Sequence, residues 1–479
     1  MIGMVTRAQA PPAPATCLEP TRNGPVTRPR APDVFHFNPF TEALLAEGRA
    51  FTPTRRQARL AADLAGLPLF LASQGDVVLV PRRPRDEFLA SLTRAGFGLP
   101  EFVEIGDACS AGGGVTALAA LASRELGRLR PWAWGPDSVA LLGPLFASVT
   151  GEDRTPHQRF NPGLAELYSK AWSAAFLRRL LTLTQAGQGT WGAQSWLCGQ
   201  QEIGVAVSTL PQALEAVAAI RARGHQHVVA KQAFGSAGQN TLRLWESSLL
   251  ETQRRWLERL FDLGREVVIE PWLKREVDFS LQLEMTPQGL RVVGFTGLVN
   301  DTRGQFVANW AESERPQTPP ASVLAWLAAG TGRAPRLDDL FADLCAALAG
   351  ELQARDFQGP LGMDAFVYRD TDGRHRLKPV VEINPRYTMG RLTLELMRHV
   401  CPGSLGWFRL CPVKEAQAAG FVDLSSYGRA LAEKHPVRLS ATQAGRIQQG
   451  VVCLNDPAQA QVCLALLEVR PARESPFGE

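Results

Sequence analysis

The chain has 479 residues, of which 45% are hydrophobic and 20% charged, with a formal net charge of +4. That is the composition of a globular chain long enough for two or three domains, and so small a net charge leaves no electrostatic footprint for nucleic acid. No apolar run approaches the roughly 20 residues of a membrane-spanning helix, and the N-terminus lacks the charged cap and apolar stretch of a secretory leader.

The eight cysteines are scattered, with no CxxC and no Cys/His cluster, and Cys345, Cys453 and Cys463 have apolar or small neighbours. This predicts reduced core thiols in a cytoplasmic protein rather than a disulfide frame or a zinc site.

Residues 1–33, rich in Pro, Ala, Thr and Arg without periodicity, are expected to be disordered. From 34 to 150 the pattern is that of a small α/β domain. Strands are expected at 69–72, 77–80 and 100–105, and helices at 85–95 and 118–129. PWAWGPDS at 131–138 reads as a loop anchored by Trp132 and Trp134, both read as core. His36, within FHFNPF, is a candidate site residue, although packing or capping is the commoner role of such a histidine.

Residues 166–184 carry apolar side chains at helical spacing, and 211–222 predict a second helix. Strands at 227–232 and 241–245 flank a small-residue loop, and a short buried strand is expected at 267–272. A strand pair at 277–284 and 289–298 follows, then an amphipathic helix at 337–353. Strands at 361–368 and 377–384 are joined by a turn-rich segment. A helix at 389–399 is stopped by Pro402 and Gly403, and the tail carries a strand at 450–454 and a helix at 456–467. No internal repeat is present.

The most informative stretch is PVVEINPRYTMGR, 379–391. Its apolar run predicts a strand on which Glu382 and Asn384 share a face, roughly 7 Å apart. An acid and an amide projecting together from a buried strand are costly unless something uses them. Mg²⁺, a hard cation that takes oxygen ligands alongside phosphates, is the obvious user. An edge strand with solvated polar positions is the alternative. Asp364 lies on the preceding strand and joins this set if the two strands pair; otherwise it is a turn-proximal acid with no ligand role.

Two further pieces carry chemistry. Lys231 leaves a strand just before Gly235-Ser236-Ala237-Gly238, where glycines let backbone N–H groups close on anionic oxygens. With strands on both sides this is not the Walker pattern; it reads as a lid over phosphates or as a plain hairpin loop. Only six of the 51 basic residues are lysines, which draws attention to Lys170 and Lys231 as positions where a compact ammonium is needed. In Glu270-Pro271-Trp272-Leu273, the backbone of 271–273 with the Trp272 and Leu273 side chains offers adenine an edge hydrogen bond and an apolar slot. Glu276 or Asp278 would accept ribose hydroxyls. The alternative places Trp272 and Leu273 in the core and leaves both acids solvated.

The order of these pieces resembles the ATP-grasp superfamily over roughly residues 166–400. The resemblance implies an α/β (α+β) fold in which two subdomains clamp ATP. A pre-ATP-grasp α/β domain would occupy 34–150, the subdomain with the glycine lid 151–263, the subdomain with the metal site 264–402, and a strand–helix extension 403–479. It implies that Lys170 and Lys231 contact ATP phosphates beneath Gly235, Ser236 and Gly238. Glu270 and Leu273 would hold adenine, Asp278 or else Glu276 the ribose, and Asp364, Glu382 and Asn384 would bind Mg²⁺ or Mn²⁺.

The implied activity is an ADP-forming ligase joining a small-molecule carboxylate, activated as an acyl phosphate, to an amine. An anionic carboxylate meeting an anionic phosphate at about 4 Å is repelled by about 4 kcal/mol at an effective dielectric near 20. Lys231, Arg386 and the metal would offset that. Thr388 is placed to cap the helix that follows, whose first amides suit a carboxylate or the transferred group, and Arg391 lies in its first turn. Both arginines read alternatively as surface or structural ion pairs.

Two other classes remain: a nucleotide-binding module without catalysis that works through a partner, and a carboxylase or phosphotransferase on the same fold. Retention of both lysines and all three metal-type residues argues against the first. No nucleic-acid or membrane partner is expected, and the apolar C-terminal region is compatible with a homodimer.

Overall fold

The computed structural model describes residues 30–47, 51–106, 113–150, 155–185, 195–235, 241–301, 304–314, 316–331 and 337–471. Most of the segment expected to be disordered lies outside these residues. Residues 30–33 are held against the first sheet, where Arg30 Nη2 donates to Asp76 Oδ1 at 2.5 Å and Asp33 Oδ2 accepts from Arg130 Nε at 2.8 Å.

The first sheet contains β1 (Val34–His36), β2 (Val77–Val80), β3 (Glu101–Glu104) and β4 (Leu129–Pro131) in the order β3-β2-β1-β4. All its pairings are parallel. Its strands alternate between two cores, as the two-residue period requires. Val34, Val77 and Leu79 face the helices of this domain, whereas Phe35, Val78 and Val80 face a core shared with the C-terminal strands.

Two expectations fail here. Residues 69–72 are not a strand; Leu67–Phe70 is a 3₁₀ turn with Pro68 in its first positions, where the ring fixes φ and no ladder donor is available. The expected helix at 118–129 is the helix Gly113–Ala122 followed by β4. The helix ends at Ala122, and Gly127, just before β4, packs so closely that a Cβ there would lie 2.6 Å from the Ala31 carbonyl oxygen.

A second sheet is antiparallel: β5 (Val205–Val207), β6 (Val228–Gln232), β7 (Thr241–Leu244) and β8 (Val267–Pro271), ordered β5-β8-β6-β7. Helices Leu210–Ala222 and Glu251–Asp262 cover it with Val217, Ile220, Leu257 and Leu260. β8, through Pro271, thus belongs to the same sheet as the strands on either side of the glycine loop.

The third sheet is nine-stranded. It holds β9 (Lys274–Thr286), β10 (Gly289–Asn300), β11 (Phe306–Glu312), β12 (Gly359–Arg369), β13 (His375–Asn384), β14 (Ser404–Pro412), β15 (Arg438–Leu439), β16 (Ile447–Cys453) and β17 (Cys463–Pro471). Their order is β13-β12-β9-β10-β11-β14-β17-β16-β15. Helices Lys170–Gln185 and Leu337–Ala354 pack on it with Phe176, Leu177, Leu344 and Leu348. On β9, Phe279, Leu281 and Leu283 enter that core, while Asp278 and Ser280 point into a cleft on the other side.

The helix expected at 456–467 is a correction: 456–462 is a turn without helix, and 463–467 is the start of β17, buried between β14 and β16. Its apolar run CLALLEV has no periodicity that separates a buried strand from a buried helix. The C-terminal residues thus extend the main sheet rather than forming an appendage. The fold class is the expected mixed α/β, with a parallel α/β domain followed by two facing antiparallel units. The six cysteines among the described residues are free thiols, and no helix among those residues is long and apolar enough to cross a membrane.

Candidate active site

β12 and β13 pair antiparallel, with Asp364 opposite Glu382 and Gly362 opposite Asn384. That register brings the three expected cation ligands together, and Asn384 Nδ2 donates to Asp364 Oδ2 at 3.2 Å. Burial, and then the neighbouring Glu382 carboxylate, push the Asp364 carboxyl up to about 6. A buried acid pair that resists full ionisation is one that a cation would stabilise. Among the described residues no group of three or more His, Cys, Asp or Glu side chains forms a metal cluster. The set here is two carboxylates and an amide, an oxygen-only donor set that suits Mg²⁺ or Mn²⁺ rather than a softer metal.

Lys170 begins the helix Lys170–Gln185. Its Nζ donates to Glu382 Oε1 at 2.8 Å and to the Gly235 carbonyl at 2.5 Å, and its backbone N–H donates to Ala233 O at 2.8 Å. One lysine thus ties the start of the glycine loop to β13. Gly235 has φ +148°, a conformation that favours glycine. Ser236 and Gly238 lie outside the described residues.

Lys231, on β6, pairs with Glu270, whose Oε2 also accepts from Lys378 Nζ at 3.1 Å. Burial alone would raise the Glu270 carboxyl, but the Lys231 and Lys378 ammoniums hold it well below the ordinary carboxylate range. Lys378 also donates to Glu202 O at 3.0 Å. Glu270, expected beside adenine, therefore has its carboxylate occupied by two lysines. Lys378 was not anticipated, though the scarcity of lysine is a signal that points to it as much as to Lys170 and Lys231.

At the hinge, the Trp272 N–H donates to His227 O at 2.9 Å, whereas the Leu273 N–H makes no backbone hydrogen bond among the described residues. The Trp272 ring lies under the Arg243 and Arg275 guanidiniums, 5.1 and 6.0 Å from its centroid. The pairing of β9 with β12 shifts here, Val367 facing Val277 and Tyr368 facing Arg275. Glu276 is the extra residue of this bulge, and a bulge re-aims the side chains on either side. Arg275 and Asp278 consequently line the cleft, joined at 3.1 Å. Glu276 instead accepts from Arg369 Nε at 3.0 Å. Of the two ribose candidates, Asp278 is the one in the cleft.

Arg386 leaves the end of β13. Its Nη2 donates to Asn384 Oδ1 at 3.1 Å and its Nε to Glu42 Oε1 at 2.6 Å. Glu42, on the helix Thr41–Glu47 of the first domain, is a site residue that the sequence did not reveal. Thr388 caps the helix Met389–Met397 by accepting from the Arg391 N–H at 3.1 Å.

Arg391 departs from its expected place. Its guanidinium turns into a buried ion cluster, with Nη1 donating to Glu284 Oε2 at 2.5 Å and Nε to Glu395 Oε1 at 2.9 Å. The (i, i+4) spacing to Glu395 on one helix face favours that pairing over a cleft position. His36 is likewise no cleft residue. Burial lowers its imidazole to about 4, and its neighbours Phe37, Asn38 and Phe40 line the cleft instead.

The cleft is a single cavity of about 380 Å³ into which Lys170, Lys231, Trp272, Asp278, Asp364, Glu382, Asn384 and Arg386 all project. Glu270 and Lys378 line a recess beside it, which also reaches Lys170, Lys231 and Glu382.

No family model matches the sequence, and no curated protein matches it. Among solved structures, the chain is similar to N5-carboxyaminoimidazole synthetase from Staphylococcus aureus complexed with ADP, at 11% identity and TM-score 0.45, covering 92% of this chain and 93% of that one. It is also similar to biotin carboxylase from Campylobacter jejuni in a β,γ-ATP complex, at 12% identity and TM-score 0.47, covering 92% and 88%. A third is the biotin carboxylase domain of Hydrogenobacter thermophilus 2-oxoglutarate carboxylase with MgADP and bicarbonate, at 11% identity and TM-score 0.45, covering 93% and 87%. These three are ATP-grasp enzymes.

Proposed function

We propose that the chain is an ATP-grasp ligase that activates a carboxylate with ATP and passes it to an amine, forming ADP and phosphate. The observation that carries this reading is convergence. Lys231 from the glycine-loop sheet, Lys170 from the helix Lys170–Gln185, and Asp278, Asp364, Glu382, Asn384 and Arg386 from the large sheet and the end of β13 meet in one cavity.

Asp364, Glu382 and Asn384 would hold Mg²⁺, which neutralises phosphate oxygens when bound. Adenine fits beside Trp272, with the Leu273 amide at its edge, and Asp278 faces the ribose. Lys170 and Lys231 now occupy Glu382 and Glu270; an incoming triphosphate competes for both ammoniums. Arg386 and the first amides of the helix Met389–Met397 hold the acid and the phosphoryl group in line. A carboxylate oxygen attacks the γ-phosphorus and ADP leaves. The amine nitrogen then attacks the acyl carbon, losing a proton as phosphate departs.

The test is incubation with Mg-ATP and pooled carboxylic acids and amines. ADP formation that needs both, with a product mass equal to acid plus amine less water, supports the reading. ADP formation driven by bicarbonate without an amine, or no stabilisation by Mg-ATP in a melting experiment, overturns it.

A further inference from the structure

The cavity does not stop at the cation strands. Beyond Arg386 it continues between the first domain and the large sheet, against Phe37, Phe40, Leu60, Leu64, Phe306 and Leu410. These come from the segment after β1, the helix Arg55–Leu64, β11 and β14. Leu60 remains 36% exposed, an apolar side chain that lines this space beside Ala61 and Leu64 of the same helix.

The charges are as telling as the apolar walls. Among the described residues the basic side chains lining the cavity are Lys170, Lys231, Arg275 and Arg386. Lys170, Lys231 and Arg275 are paired with Glu382, Glu270 and Asp278, on the nucleotide side. Arg386 alone stands at the junction, and its partner there is the buried Glu42. A second anionic group on the acid would meet Glu42, apolar side chains and the uncharged Asn38, Thr41 and Gln57, and would be desolvated with no counter-charge among the described residues.

Resting on the ligase reading above, we infer that the acid is a small carboxylic acid with one anionic group and an apolar body. Its carboxylate sits at Arg386 and its aliphatic or aromatic portion lies between Leu60, Leu64 and Phe37 on one side and Phe306 and Leu410 on the other. Dicarboxylates and phosphorylated acids are excluded by the same arrangement.

The experiment uses the full chain with Mg-ATP and hydroxylamine as a common nucleophile, reading hydroxamate formation. The acids are 4-methylpentanoate and 3-phenylpropanoate against glutarate and 3-phosphoglycerate. The apolar acids are expected to exceed the doubly anionic ones by about 100-fold in kcat/KM, as burial of an unpaired charge predicts. Leu60→Trp, at a half-open position, should lower kcat/KM for 3-phenylpropanoate relative to propanoate by about tenfold while leaving the melting shift with Mg-ATP unchanged. Preference for glutarate or 3-phosphoglycerate, or an unaltered acid profile in L60W, overturns the inference and leaves the ligase reading standing. Absence of any Mg-ATP melting shift in the parent chain removes the ligase reading, and this inference with it.

Discussion

Arg386 donates from Nε to Glu42 Oε1 at 2.6 Å, joining side chains 344 residues apart in the chain. The contact is reinforced next door. The Tyr387 N–H donates to Trp132 O at 2.9 Å, and Arg130 Nη1 donates to the Tyr387 hydroxyl at 2.8 Å. The first domain is thereby fastened to the end of β13, and Glu42 sets where the Arg386 guanidinium points. Glu42→Ala leaves that guanidinium buried without its counter-charge, and loss of one partner of a buried pair costs about 3–5 kcal/mol. Urea unfolding should show a lower midpoint with an unchanged slope, and KM for the acid should rise while the Mg-ATP melting shift persists.

Asp364 supplies a pH test with two opposite signs. Without metal, its folded pKa of about 6 lies above the ordinary 3.8, so the folded chain binds this proton more tightly than the unfolded chain. Its contribution to stability is therefore full below 3.8 and is lost as pH rises to about 6. Cation binding needs the carboxylate, so Mg²⁺ affinity moves the other way and should weaken by about tenfold per pH unit below about 6. Melting curves from pH 4.5 to 8, with and without Mg-ATP, measure both; a Mg-ATP shift that does not shrink in acid counts against Asp364 as a ligand.

Glu382→Gln keeps the side-chain shape and removes its charge. Lys170 loses its ionic partner at 2.8 Å, and the cation set loses one carboxylate. ADP formation should fall by at least about 100-fold, as removal of a preorganised charge at the reacting centre does, while the circular dichroism spectrum is retained. The same substitution removes the like charge beside Asp364, so the acid limb of the Mg²⁺ dependence should move to lower pH. Wild-type turnover in this variant would sink the cation assignment.

Gly390→Ala probes the helix Met389–Met397, whose first residues line the cleft. A Cβ there would lie 2.5 Å from Gln282 Nε2 and 2.9 Å from Thr296 Oγ1. Gln282 is 1% exposed and accepts from Thr388 Oγ1 at 2.6 Å, so the amide has nowhere to retreat without giving up the cap. Overpacking of this kind costs about 1–3 kcal/mol. A lower urea midpoint together with a raised KM for the acid is expected.

Much of the cleft was legible from residue order. Glu382 and Asn384 announce themselves because polar side chains on a buried strand need a reason, and the β12–β13 pairing supplied the condition that placed Asp364 beside them. Glu42 was hidden because its partner comes from the other end of the chain, and no local pattern encodes a contact over that distance. The choice between Glu276 and Asp278 turned on a bulge in β9, which two-residue periodicity does not show. Arg391 was misjudged for a similar reason: its position in a first turn was readable, but the Glu284 that draws it inward sits on another strand. β17 was read as a helix because an unbroken apolar run carries no period.

The core that Phe35, Val78 and Val80 share with Phe408, Val452, Leu467 and Val469 has a temporal consequence. Leu67, Phe70, Phe88 and Leu92 of the first domain cover part of that face as soon as they are made, but the remainder waits for strands the ribosome makes last. At about 5–20 residues per second, the roughly 330–430 residues separating these partners keep that remainder open for tens of seconds. A stop codon near residue 402 would consequently cripple the amino-terminal domain, hundreds of positions upstream of the lesion.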